Sequence, residues 1–289
     1  MLYFSKIVSF FNRNTAQTVT FSKKQPALTG FYYGCRRIEY TSLCLGRVVI
    51  IDVVYPMQTG LNWYDSKVLI LNDGQDLAAL DYMRTVDRHK PVVPFITLAV
   101  HAGDRMQEFG VAGRRDYLGR GAAADDYHAF LATELCTDVF DSLDLNPVRE
   151  NVAIAGCSLG ALSAFDFTWS HPECVSVAGC FSGSFWWRSR EFGPLYSDSD
   201  RIMHEKIRES FVAPPVRIWL EAGTEDEKHD RSSRGVIDAI HDVRDLIIEM
   251  QAKGLSDDNL CYVEIPGGRH HQTTWGKAIP VFLEWAGFS

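Results

Sequence analysis

The 289-residue chain has no basic run, no apolar stretch of membrane-spanning length, no internal repeat and no low-complexity linker. Its 29 Lys+Arg stand against 37 Asp+Glu, a formal net charge of −8, which disfavours nucleic acid and anionic membranes as partners. None of the seven cysteines belongs to a C-x-x-C pair, which removes zinc ribbons and dithiol redox motifs. An odd number of cysteines, several inside apolar runs, fits free thiols in a reducing compartment. The first segment, MLYFSKIVSFFNRN, lacks a basic leader and a small-residue cleavage site, so it does not read as a signal peptide. The expectation is a cytoplasmic protein with a small-molecule partner; oligomeric state stays open.

What is present is enough apolar material, 46% of residues, to bury a sizeable core. Two early runs, FYYGCRRIEYTS and RVVIIDVVYP, are aromatic and β-branched, and Pro56 closes the second. Later come KVLILND, VPFITLAVH, NVAIAGCS, VSVAGCFS, VRIWLEAG and LCYVEIPGG. Near-continuous apolar strands are what a parallel sheet covered on both faces requires. Between them lie helical patterns. Val236, Ile240, Val243, Ile247 and Met250 line one face, with Gly254 as a stop. Residues 122–143 give a second helix with Ala129, Leu131, Leu135 and Val139 buried. Strand–helix alternation predicts an α/β fold: a mostly parallel central sheet, helices on both faces and an antiparallel N-terminal edge. One domain spans 1–289, with 1–45 as its N-terminal extension and edge strand.

Ligands in such sheets bind at the carboxyl ends of the strands. There, strand NVAIA runs directly into Gly156-Cys157-Ser158-Leu159-Gly160 and then a helix. G-x-S-x-G alone is weak, arising by chance about 0.1 times in a chain of this composition. A strand–turn–helix context makes it specific. The sharp turn strains the serine and demands small flanks, which Gly156 and Gly160 supply. Ser158 is thus the candidate nucleophile, with the Leu159 N–H aimed where an oxyanion would form.

A serine needs a base, and the base needs a carboxylate to hold its tautomer. Strand VRIWLEA ends in Gly223-Thr224-Glu225-Asp226-Glu227, and LCYVEIP ends in Gly267-Gly268-Arg269-His270-His271. Ser158, Asp226, His270 is the chain order this chemistry takes on such a sheet. Asp226 is preferred over Glu225 and Glu227, which stay open. The histidine pair has no H-x-H, H-E-x-x-H or cysteine partner, so no metal is assigned. His128 and His171 read as helix-surface or helix-end residues. The second oxyanion donor must follow an earlier strand. KVLIL ends in Asn72-Asp73-Gly74-Gln75-Asp76, which makes the Gln75 N–H the candidate; an ordinary turn capped by Asp is the alternative.

From about residue 45 these motifs resemble the esterase family of α/β hydrolases that includes enterochelin esterases, feruloyl esterases and esterase D, and is related to the mycolyltransferases. LGRVVIIDVVYP resembles its opening strand, VLILNDGQD its oxyanion loop, and GDRMQEFGVAGRRDYLGR its R-x-x-E-[FY] segment. GCSLGALSAF resembles its elbow and GGRHHQTTW its histidine loop. The resemblance implies Ser158 as nucleophile, Leu159 and Gln75 as oxyanion donors, and Asp226 as the acid of G-x-x-D. It implies His270, five residues before Trp275, as the base. Arg105 and Glu108 match R-x-x-E, read as a structural ion pair near the site and stand among the substrate-pocket candidates. Trp186 and Trp187, after VSVAGCFS, are pocket candidates and equally core candidates. Fewer residues precede position 45 than the N-terminal sandwich domain of cytoplasmic enterochelin esterases needs. The expected function is cofactor-free hydrolysis of a small-molecule carboxylic ester through an acyl-enzyme. Acyl transfer to an alcohol, or a binding protein that kept the fold, are the alternatives.

Overall fold

The computed structural model describes residues 9–12, 15–18, 32–57, 62–89, 93–233 and 235–288. Much of the extension assigned to 1–45, including most of the leader-like segment, lies outside the described residues. Within it, β1 (Ser9–Asn12) and β2 (Thr15–Thr18) pair antiparallel.

The main sheet has eight strands: β3 (Tyr33–Ser42), β4 (Arg47–Pro56), β5 (Lys67–Asn72), β6 (Phe95–Val100), β7 (Val152–Cys157), β8 (Val177–Phe181), β9 (Arg217–Gly223) and β10 (Leu260–Ile265). Their spatial order is β10-β9-β8-β7-β5-β6-β4-β3. The six strands from β10 to β6 run parallel, while β4 and β3 form the antiparallel edge. β6, β7 and β8 are buried end to end, and β5 and β9 after their first residue, because each face has its own core. Val68, Ile70 and Ile154 point into one cluster, and Leu69, Leu71, Ala153 and Ala155 into the other. Consecutive side chains alternate faces, so a strand covered on both sides must be apolar throughout.

Among the described residues, eight α-helices surround the sheet: α1 (Tyr82–His89), α2 (Arg105–Glu108), α3 (Ala124–Ala129), α4 (Phe140–Ser142), α5 (Leu159–Ser170), α6 (Ile202–Glu209), α7 (Asp238–Ala252) and α8 (Gln272–Ala286). Residues of α1 and α8 fill one cluster; those of α5, α6 and α7 fill the other. α5 is buried along almost its whole length, which explains its lack of a polar face.

Two helical readings shift. The 122–143 pattern is continuous, but its middle, Phe130–Val139, winds as a π-helix. Its wider turn keeps Leu131, Leu135 and Val139, each four apart, in the core, while Ala129 is half-buried. His128 is not on a surface: it is buried edge-on against Phe167, and burial pushes its pKa down to about 4. Glu134, also buried, takes Ser42 Oγ and the amides of Leu43 and Cys44, tying this helix to the β3–β4 turn. The second shift is at α7, which starts at Asp238, so Val236 precedes the helix whose other apolar positions face the core or its edge. Gly254 follows its end in the left-handed conformation, as a stop should.

Candidate active site

The carboxyl ends of β5, β7, β9 and β10 bring the candidate residues together. Cys157 ends β7 and Leu159 begins α5, so Ser158 alone makes the turn. It does so at φ 55, ψ −118, a strained conformation for a residue with a Cβ. The turn is tight enough that a Cβ on Gly156 would run into the carbonyl of Gly160. Backbone hydrogen bonds to the next strand fix the strained residue: Ser158 N–H donates to Phe181 O at 2.8 Å, and Ser184 N–H donates to Ser158 O at 3.1 Å.

The side chain of Ser158 meets His270, whose Nε2 lies 2.8 Å from Oγ. Behind His270, the Asp226 Oδ2 lies 4.0 Å from Nδ1. The Asp226 side chain is 1% exposed and neither oxygen has a hydrogen-bond partner. Asp226 is placed by the turn at the end of β9, where a Cβ on Gly223 would strike the Gly268 backbone and the Asp226 carboxylate. Glu225 instead pairs with Arg269 at the surface, at 3.1 Å, and Glu227 lines a neighbouring cavity. Among the three carboxylates only Asp226 reaches His270. Burial raises the Asp226 pKa; the nearby Ser182 hydroxyl and Gly223 backbone favour its anion without closing a hydrogen bond on it, and His270 also favours it. Burial lowers the pKa of His270, opposed by Asp226 and assisted by Arg105. The imidazole is therefore neutral at pH 7, the state a base requires.

His271, by contrast, has its contacts on the next helix. It caps α8, its Nδ1 accepting the Thr273 N–H at 3.2 Å. The two adjacent histidines thus serve different partners, and they do not converge on a common point.

Leu159 is the first residue of α5, so its N–H has no acceptor within the helix. Gln75 sits in the 3-10 turn Gly74–Asp76 after β5, whose opening residue Asp73 is left-handed at φ 60. Its side chain braces that turn: Nε2 donates to Asp73 Oδ1 at 2.8 Å, and Oε1 accepts from Ala102 N at 3.2 Å. Asp73 lies against the elbow, near enough to Gly160 that a Cβ there would press on its carboxylate.

Arg105 and Glu108 are not paired with each other. Arg105 Nε donates to both oxygens of buried Asp73, at 2.9 and 3.0 Å, and its NH2 donates to Cys157 O at 3.2 Å. Glu108 pairs with Arg47 and accepts the Gly103 N–H. The reason is charge: buried Asp73 and buried Glu108 each need a cation, and each has its own, Arg105 and Arg47. Arg105 thereby clamps the β5 loop to the nucleophile turn. Of the two tryptophans, Trp187 is core, 0% exposed and packed over Gly110 and Gly121. Trp186 is half-buried and lines a cavity of about 620 Å³ together with Tyr117, Arg120, Arg188, Tyr196 and Glu227.

Ser184 and Ser182, both after β8, were not singled out from sequence. Ser184 Oγ lies 3.3 Å from Ser158 Oγ. Ser182 accepts the Trp275 indole N–H at 2.8 Å, and the Trp275 ring stands edge-on to His270 with centroids 5.1 Å apart. The five-residue spacing of His270 and Trp275 is the signal of that contact.

The model of the family described as "Putative esterase" matches residues 45–286, and the chain belongs to that family. The iron(III) enterobactin esterase of Escherichia coli (strain K12) is 29% identical over 114 residues, 39% of this chain and 27% of the relative. An enterochelin esterase from Shigella flexneri superposes with a TM-score of 0.66 at 18% identity, over 87% of this chain and 57% of its own length. A ferulic acid esterase superposes at 0.60 with 15% identity, over 89% and 98%. The fluorophosphonate-binding serine hydrolase F of Staphylococcus aureus does so at 0.59 with 14% identity, over 88% and 98%. The chain therefore has the α/β-hydrolase fold, and it spans little more than half the length of the enterochelin esterase. Membership supports an ester-cleaving hydrolase. No helix among the described residues is long and apolar enough to cross a membrane.

Proposed function

We propose that the chain is a serine esterase acting on small carboxylic esters, with residues 1–289 as one catalytic domain. The observation that carries this reading is the 2.8 Å approach of His270 Nε2 to Ser158 Oγ on a strained elbow, with Asp226 buried behind the imidazole. His270 takes the Ser158 proton as Oγ attacks the carbonyl carbon. The N–H groups of Leu159 and Gln75 stabilise the tetrahedral oxyanion. Collapse breaks the ester C–O bond, and the imidazolium returns its proton to the departing alkoxide. Water, deprotonated by His270, then attacks the acyl-serine and releases the acid. Asp226 orients the imidazole and offsets its charge during both transfers. Arg105 acts at one remove, by holding the Asp73–Gln75 turn against the elbow.

The cavity lined by Trp186, Arg120 and Arg188 is the substrate pocket in this reading; no triad residue lines it, and its link to the site is Trp186, two residues after Ser184, whose Oγ lies 3.3 Å from Ser158 Oγ. The test is hydrolysis of p-nitrophenyl acetate and butyrate. Ser158→Ala should fold as the parent does and lose about 10⁶ in kcat. Retention of most activity in that variant would refute the assignment.

A further inference from the structure

A second acid lies behind the candidate triad. Glu221 on β9 is 0% exposed, and no lysine or arginine pairs with it among the described residues. Its Oε2 accepts from Ser182 N at 3.1 Å and from Ser182 Oγ at 3.4 Å, while Oε1 has no partner. Ser182 is held left-handed at φ 45, and its hydroxyl also accepts the Trp275 N–H. The one proton of this hydroxyl thus goes to Glu221, while the buried Asp226 carboxylate, which the hydroxyl also favours as an anion, has no hydrogen bond. Through Trp275 the hydroxyl is also linked to the ring that flanks His270.

Two carboxylates in one dry site do not both ionise at neutral pH. Asp226 has beside it His270, which becomes a cation when it takes a proton; Glu221 has only Ser182. We propose that Glu221 is a positioning residue that holds a proton at neutral pH and fixes Ser182, so that Asp226 is the one anion behind His270. This inference rests on the serine-esterase reading.

The surroundings agree. Facing Glu221 are Asp226 from the loop after β9, Cys157 from β7 and Ser182 from the turn after β8. None of these is a cation. Burial first, and the Asp226 charge second, push the Glu221 pKa up to about 8, against the pull of the Ser182 hydrogen bonds. Ionisation of Glu221 sets a second negative charge near Asp226. Because the folded pKa lies above the unfolded carboxyl value, the folded chain holds an extra proton between these values. Its stability therefore falls as pH rises across that window and levels off above about 8.

The experiment compares wild type with Glu221→Gln, a permanently neutral near-isostere. Expected are a wild-type kcat/KM that declines above pH 8 and a Glu221→Gln profile that stays flat there, with less than threefold loss at pH 7. The melting temperature of the variant should gain on wild type as pH rises from 5 to 9. Coincident alkaline limbs, or a loss at pH 7 as large as that of Asp226→Asn, would overturn the proposal. If the variant does not fold, wild type still decides: a protonated-carboxyl infrared band present at pH 7 and lost near pH 8 supports it, and absence of that band refutes it. Fluorophosphonate labelling of wild-type Ser158 is the control. Failure to label would strike the esterase reading, whereas labelling with unchanged pH profiles would strike Glu221 alone.

Discussion

The Asp226 carboxylate stands 4.0 Å from His270 Nδ1 while His270 Nε2 stands 2.8 Å from Ser158 Oγ, so the front of the relay is closed and the back is open. A buried anion without a hydrogen bond is unfavourable, and formation of an imidazolium gives it one. Catalytic hydrogen bonds that are long at rest often tighten in this way. Asp226→Asn keeps the shape and removes the charge. It should lower kcat about 10⁴-fold with KM little changed, measured on p-nitrophenyl acetate. A loss below tenfold would show that Asp226 does not support His270.

The pH dependence follows from the direction of the His270 shift. Burial and Arg105 hold its pKa below the ordinary 6.5, and Asp226 only partly offsets them. The acid limb of kcat/KM should therefore fall below pH 6.5. Asp226→Asn removes the one group that raises the pKa, so the limb should move further to acid. A limb above 6.5 in wild type would contradict this balance.

His270 and His271 differ in kind. His270→Ala should lose several orders of magnitude in kcat/KM. His271 accepts the Thr273 N–H at the start of α8, so His271→Ala should lower stability by about 1 kcal/mol and leave kcat nearly unchanged. Urea denaturation and steady-state kinetics separate the two. Since each ring has its own partner, EDTA should not reduce activity.

Arg105 holds the loop after β5 against the Ser158 turn. Its removal leaves Asp73, buried beside Gly160, without a cation. Arg105→Ala should destabilise the chain by about 3 kcal/mol, the low end for a broken buried pair because Arg105 itself is a third exposed. It should also reduce kcat by more than KM changes. Arg105→Lys, which lacks the planar group that reaches Asp73 and the Cys157 carbonyl together, should recover stability better than kcat.

The strands and the elbow were legible because their causes are local. Apolar runs such as VLIL and VAIA need two covered faces, and Gly156 and Gly160 answer a steric demand two residues either side of Ser158. The partners of Arg105 and Glu108 were not legible. Spacing i, i+3 on a helix suggests a mutual pair, but Asp73 and Arg47, 32 and 61 residues away, decide the matter through burial. His128 illustrates the same limit, since amphipathic spacing does not show that Phe167 and His171 close over a ring. The role of Trp275 was visible only as a spacing, and its contact with Ser182 required the fold.

The most direct test of the account is intact-protein mass spectrometry after exposure to a fluorophosphonate, followed by peptide mapping. The account expects one adduct, on Ser158, formed rapidly at pH 7.5, slowed by orders of magnitude in His270→Ala and absent from Ser158→Ala. No adduct on the folded protein, or an adduct on another residue that persists in Ser158→Ala, would contradict it.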